Sequence, residues 1–172
     1  MAGVRRRKRG DTVVALIVCQ EFYGQSVTVE DRYLYYLPEH LWVEPAGEGL
    51  YRFGVSHAGA ILVNGFKYLE YAVAPGEAIN AGDSVFFVET FKAMINVTAP
   101  VTGVVAELNE KLEGEGVKIL AEQYYSEFLF AMKCGEMDTA GFFLTAEQYL
   151  EALQGGEGDH CGAGARVMRR NR

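Results

Sequence analysis

Lys92 is the residue of this chain best placed to take part in covalent chemistry. It lies in Val88-Glu89-Thr90-Phe91-Lys92-Ala93-Met94, between two runs that read as strands. Ser84-Val85-Phe86-Phe87-Val88 is rich in β-branched and aromatic residues, and Ile95-Asn96-Val97-Thr98 alternates apolar with polar. So short a connection implies a hairpin with Lys92 at or near its exposed tip. Gly, Asn and Asp, the usual tip residues, are absent between Phe91 and Met94. The chemistry on offer is that of an exposed primary amine. From spacing alone it reads as a solvated lysine on a turn, because most exposed lysines do no chemistry.

Other reactive constellations are missing from the sequence. There is no Ser/His/Asp or Cys/His arrangement and no phosphate-binding glycine loop, so an enzyme is the least expected class. Cys19, Cys134 and Cys161 are odd in number and lack CxxC spacing, which argues against a disulfide framework and for a reducing compartment. His160-Cys161 has no second pair at ligand spacing, so no metal site is expected.

The elements that must hold Lys92 belong to one domain with tails, given 172 residues and an ordinary apolar content. The formal charge of −7 hides a segregated pattern. Nine of the 16 basic residues are Arg5, Arg6, Arg7, Lys8, Arg9, Arg166, Arg169, Arg170 and Arg172, leaving seven to face all 23 acidic ones. A body this acidic is ill suited to nucleic acid or anionic lipid and suits docking onto basic surfaces of partner proteins. Residues 1–10 read as a disordered basic arm. Val13-Val14-Ala15-Leu16-Ile17-Val18-Cys19 is too short for a membrane span and lacks a small-residue cleavage pattern after it. It reads as a buried strand of an N-terminal extension. The expected location is cytoplasmic, or mitochondrial if the source is eukaryotic.

Several further motifs fall into one order. Glu89-x-x-Lys92-Ala93 followed by Ala99-Pro100-Val101-x-Gly103 resembles the attachment segment of lipoyl-carrier domains, in which lipoic acid acylates the lysine amine and removes its charge. Phe91 and Ala93 flank Lys92 where biotin carriers have methionines, which favours lipoyl over biotin. His40-Leu41-Trp42-Val43 resembles the His-x-Trp-Val opening of the glycine cleavage system H-protein family. Gly54-Val55-Ser56 resembles that family's entry into a short helix, with Ser56 as N-cap. Ala74 to Ser84 resembles its Gly-x-x-Val-x-x-Gly-Asp turn before the lipoyl hairpin, and Ala99 to Glu110 resembles its Pro-Val-x-Gly-x-Val-x-x-x-Asn run after it. Leu144 to Leu153 reads as a C-terminal helix, with Thr145 and Gln148 at capping-box spacing. The resemblance covers roughly residues 33–153.

What the resemblance implies is a mainly β, barrel-sandwich hybrid of the lipoyl/biotinyl-carrier type, with a short internal helix near Ser56 and a C-terminal helix. Many short strands with close turn signals fit that class independently. The implied organisation is a basic, partly disordered extension over 1–27, a carrier domain over 28–153, and a Gly/Arg-rich disordered tail over 154–172. The implied function is a non-catalytic carrier, with lipoic acid held covalently on Lys92. It would move an aminomethyl group from the glycine decarboxylase to the aminomethyltransferase and be reoxidised by dihydrolipoamide dehydrogenase. Glu89 is the candidate for recognition by the lipoyl-attaching enzyme, and a monomer is expected. His40 is a candidate for lining a groove that shelters the arm, although a histidine beside Trp42 is more often structural; no motif supports a role for His57.

The chain departs from the family at Val63-Asn64-Gly65-Phe66, where Leu-Gly-Asp is usual, and at Glu127-Phe128-Leu129, where Gly-Trp-Leu is usual. Three alternatives follow. One is a divergent H-like carrier for another pathway, such as sulfur-compound oxidation or lipoyl relay. Another is a biotinyl carrier, for which Met94 is the single support. The last is an unmodified interaction protein with the same fold.

Overall fold

The computed structural model describes residues 2–9, 12–135 and 142–155, with the backbone alone over 2–9 and 12–21. The strands are β1 (Ala2–Arg9), β2 (Thr12–Phe22), β3 (Gln25–Glu30), β4 (Leu34–Tyr36), β5 (Leu41–Pro45), β6 (Leu50–Val55), β7 (Phe66–Tyr71), β8 (Ala78–Ile79), β9 (Ser84–Thr90), β10 (Met94–Thr98), β11 (Gly103–Leu108) and β12 (Phe130–Lys133). The helices are α1 (His57–Val63), α2 (Leu120–Gln123) and α3 (Ala146–Gln154). A six-stranded sheet in the order β4-β5-β6-β12-β11-β8 packs against a three-stranded sheet, β10-β9-β7; β1-β2-β3 form a third. The mainly β sandwich with a short internal helix and a C-terminal helix is the architecture expected from the sequence.

Strand β5 feeds two cores. Alternate residues of a strand face opposite sides of its sheet. Leu41 and Val43 of β5 therefore enter the core between the two larger sheets, with Phe53, Val88, Ile95 and Phe130. Trp42 between them enters a second core, with Val27, Val29, Tyr35, Tyr149 and Leu153. All three residues are buried, so β5 is covered on both faces. Residue 54 opposes Trp42 in the register and is glycine because the indole lies over it; a Cβ there would fall 2.1 Å from the ring.

The helix ends follow the sequence chemistry. Ser56 caps α1, its Oγ accepting the Gly59 amide at 3.1 Å. Thr145 and Gln148 form a reciprocal capping box at the start of α3, satisfying amides the helix itself cannot pair.

The N-terminus differs from the expected disordered arm. Over Ala2–Arg9 the backbone is a strand, paired antiparallel with Thr12–Phe22 from Ala2↔Cys19 to Arg9↔Thr12. That pairing gives the backbone of the run hydrogen-bond partners, which a reading of its charge alone does not supply. Strand β3 crosses the boundary drawn at residue 27, and its Val27 and Val29 belong to the second core. The tail expected from residue 154 lies, from 156 onward, outside the described residues.

Candidate functional site

The hairpin forms as its alternation predicts, with Met94 opposite Glu89, Ile95 opposite Val88 and Asn96 opposite Phe87. Phe86, Val88, Ile95 and Val97 point into the core and anchor both strands. The absence of Gly, Asn or Asp at the tip has a local explanation. Thr90 donates its amide to the Ala93 carbonyl at 2.8 Å. Its hydroxyl donates to that same carbonyl at 3.0 Å and accepts the amides of Lys92 at 3.2 Å and Ala93 at 3.0 Å. A buried threonine side chain thus does the work of a turn residue. Neither Phe91 nor Lys92 needs a positive φ. Thr90 was not singled out in the sequence, although a hydroxyl three residues before the end of a tight loop is a readable signal.

Lys92 is exposed at the tip, and among the described residues its ammonium enters no ion pair. Phe91 beside it is 75% exposed. One edge of that ring rests over Gly65, where a Cβ would fall 2.6 Å from it. Lys67 reaches the same place, with its Nζ 5.5 Å from the Phe91 ring centroid and 3.6 Å from Glu89 Oε1. Glu89 lies on the outer face of the sheet, half-exposed, between Met94 of β10 and Tyr68 of β7.

The structure does not bring His40 or His57 to this tip. His40 is fully buried in a left-handed conformation with φ of 52°. Its Nδ1 shares a 2.5 Å hydrogen bond with the Tyr149 hydroxyl, which also contacts Ser56 Oγ at 2.9 Å. That network fastens α3 to the start of α1, which is a structural role. His57 Nδ1 accepts the Thr28 amide at 2.9 Å, and the ring stacks on Tyr124 at 4.5 Å. Burial lowers its pKa, so the neutral imidazole is the form held.

The neighbour of His40 occupies the more telling position. Glu39 borders a cavity of about 40 Å³ under the hairpin, lined by Leu41, Val63, Phe66, Val88 and Ile95. Burial raises its carboxyl pKa from 4.5 to about 8, against the opposing hydrogen bond that Thr98 Oγ1 donates at 3.2 Å. At neutral pH the group is largely protonated. A glutamate beside a proline gave no sequence signal of burial. Among the described residues, no three His, Cys, Asp or Glu are grouped as a metal site, and no helix is long and apolar enough to cross a membrane.

The arrangement amounts to a core-anchored hairpin presenting an amine that enters no ion pair among the described residues. Comparison with known proteins identifies the family. The glycine cleavage H-protein family model matches residues 34–156. The glycine cleavage system H protein of Vibrio cholerae is 32% identical over 124 residues, covering 72% of this chain and 98% of that protein. That of Alteromonas mediterranea is 32% identical over 120 residues, covering 70% and 92%. In three dimensions the chain is similar to the crystal structure of a glycine cleavage system H protein from Mycobacterium marinum. The TM-score is 0.53 at 24% identity, over 73% of this chain and 98% of that one, a likeness of fold. A mainly β sandwich, a lysine-tipped hairpin and a family match over most of the chain lead to one conclusion: this protein belongs to the glycine cleavage H-protein family.

Proposed function

We propose that this chain is the lipoyl carrier of a glycine cleavage system and that Lys92 is the residue acylated by lipoic acid. The observation that carries the reading is the exposed, unpaired Lys92 at the tip of a hairpin whose inner face is anchored in the core. When bound through an amide to Nζ, the lipoyl group supplies the disulfide chemistry that takes up and releases the aminomethyl unit. The residues at the tip fit such a group. The space around Lys92 is open, and the flanking Phe91 and Met94 are exposed rather than folded over the amine.

The protein's own contribution is placement. The Thr90 hydrogen bonds fix the loop, so the attachment point is defined while the side chain beyond it stays free to move. Tethering raises the effective concentration of the carried group at each partner. The partners are enzymes of the glycine cleavage system: in this reading the glycine decarboxylase loads the arm, the aminomethyltransferase unloads it and dihydrolipoamide dehydrogenase reoxidises it. The carrier unit corresponds to residues 28–153, acting in the cytoplasm or, in a eukaryote, the mitochondrion. The chain performs no catalysis with its own side chains.

The test is intact and peptide mass spectrometry of the protein from its own source. The expected result is a lipoyl adduct on the Lys92 peptide that is absent in Lys92→Ala. A biotin adduct would make the protein a biotinyl carrier. An unmodified Lys92 in cells whose other lipoyl proteins are loaded would make it an interaction module and overturn the proposal.

A further inference from the structure

Between its basic ends the chain has just two arginines, Arg32 and Arg52. The fold brings both to one recess of about 410 Å³, walled by Tyr33, Trp42 and Phe128 with Ser126 at the rim. A concavity of that size, mainly aromatic with a few polar groups, is the usual form of a small-molecule site. Register fixes where it lies. Trp42 and Glu44 of β5 oppose Gly54 and Arg52 of β6. They stand on the face of the six-stranded sheet turned away from Leu41 and Val43, and so away from the sheet that carries Lys92. Arg32 and Tyr33 precede the residues matched to the family, 34–156, so the recess is not complete within the part of the chain that the family shares.

The two guanidiniums are held differently. The Arg32 Cζ lies 4.4 Å from the centre of the Tyr33 ring, which itself stacks on Trp42 at 4.4 Å. Its Nε donates to Glu30 Oε2 at 2.7 Å and a terminal nitrogen donates to the Tyr125 carbonyl at 3.4 Å, so its orientation is fixed and its charge is matched. Arg52 lies over Phe128, with its Cζ 5.9 Å from the ring centre. Among the described residues its one charged partner is Glu44, at 3.7 Å, which is too long for a hydrogen bond. The side chains of that pair are 40% and 37% exposed, where such a contact contributes little and Glu44 is free to turn to water. Arg52 therefore keeps N–H donors for an incoming oxyanion, and its planar fork matches a carboxylate or a phosphate. The surfaces beside it are flat, an aromatic ring on one side and a ring-stacked guanidinium on the other, and they suit a flat ligand. We infer that this recess binds a small aromatic oxyanion, its ring against Phe128 and Arg32 and its carboxylate or phosphate accepting from Arg52. The site goes beyond the carrier role, since it neither uses Lys92 nor depends on its modification.

Trp42 is the one tryptophan of the chain and lines the recess, so its emission reports occupancy. The full chain is titrated at constant ionic strength with phenyl phosphate, benzoate, inorganic phosphate and cyclohexanecarboxylate. At least one aromatic probe should saturate with a Kd of about 1 mM or tighter, and the tighter of the two identifies the anionic group. The two probes without an aromatic ring should bind roughly tenfold more weakly or worse. Arg52→Gln should weaken the aromatic probe roughly tenfold or more, as the loss of a charge-assisted hydrogen bond does. Arg52→Lys keeps the charge and loses the fork; it should also weaken binding, and it decides the matter if the glutamine variant does not fold. Phe128→Leu should weaken the aromatic probes and leave inorganic phosphate unchanged. Lys118→Gln, which removes an exposed cation paired with Glu115, is the control and should change nothing. Matched unfolding midpoints establish that each variant folds. A response from the parent that never saturates with either aromatic probe would overturn the inference. So would parent-like affinity in both Arg52 variants, or an equal loss in Lys118→Gln, which would reduce the effect to general charge. Rings and non-aromatic anions binding equally well would overturn it too.

Discussion

Replacing Thr90 by valine keeps the shape of the side chain and removes its hydroxyl from the lysine turn. The cost follows from what each lost bond leaves behind. The Ala93 carbonyl still accepts the Thr90 amide at 2.8 Å, so losing the hydroxyl donor there is cheap. The Lys92 amide is on an exposed residue, where water replaces the acceptor. The Ala93 amide is half-buried and is left without a partner. An unsatisfied donor of that kind, with a fraction of the other two bonds, gives about 1.5 kcal/mol. For a chain of this size the midpoint of thermal unfolding should fall by roughly 3–6 °C. Thr90→Ser also loses a buried methyl, worth up to about 0.8 kcal/mol, so stability alone does not separate the two variants. Hydrogen exchange does. The Ala93 amide should exchange roughly tenfold faster in Thr90→Val, as expected for about 1.4 kcal/mol of lost protection, and stay near the parent rate in Thr90→Ser. An Ala93 amide equally protected in all three proteins, with no fall in the midpoint for valine, would refute the assignment of the hydroxyl as the turn's organising group.

Two further outcomes follow from the buried polar groups. Glu39 holds its proton in the folded state up to about pH 8, while the unfolded side chain loses it near 4.5. Between those values the folded state binds the extra proton, so stability falls as pH rises, by up to about 1.4 kcal/mol per pH unit from this group. Glu39→Gln lacks that dependence. Urea unfolding should show the variant gaining on the parent from pH 5 to pH 8 and levelling off above; a constant difference across that range would count against a buried, protonated Glu39. Tyr149→Phe removes the hydroxyl shared by His40 Nδ1 and Ser56 Oγ. With His40 fully buried, the loss should be about 2 kcal/mol in urea unfolding at pH 7, and a variant as stable as the parent would mean the network does not fasten α3.

Much of the site was legible because its determinants are local. The strand patterns on either side of Lys92 lie within a few residues, and two strands so close in sequence have little choice but to pair. The Ser56 cap and the Thr145–Gln148 box are likewise decided over three residues. Residues 2–9 went the other way. A run of like charges argues for disorder when read alone, and the pairing with Thr12–Phe22 supplies backbone partners that composition does not reveal.

The hairpin, its single lysine and the helix caps follow from residue order alone, since each depends on dihedral preferences and hydrogen bonds between near neighbours. Their surroundings were set by the packing of the fold. It set His40 against Tyr149, 109 residues away, and so made a candidate groove residue a structural one. It placed Glu39 beside an apolar cavity, where desolvation rather than any neighbour in sequence sets its protonation. It carried Tyr68 and Lys67 across from another strand to complete the surface around Lys92. Burial and cross-sheet neighbours depend on how distant segments pack, and a residue's local pattern carries no record of which distant segment will cover it.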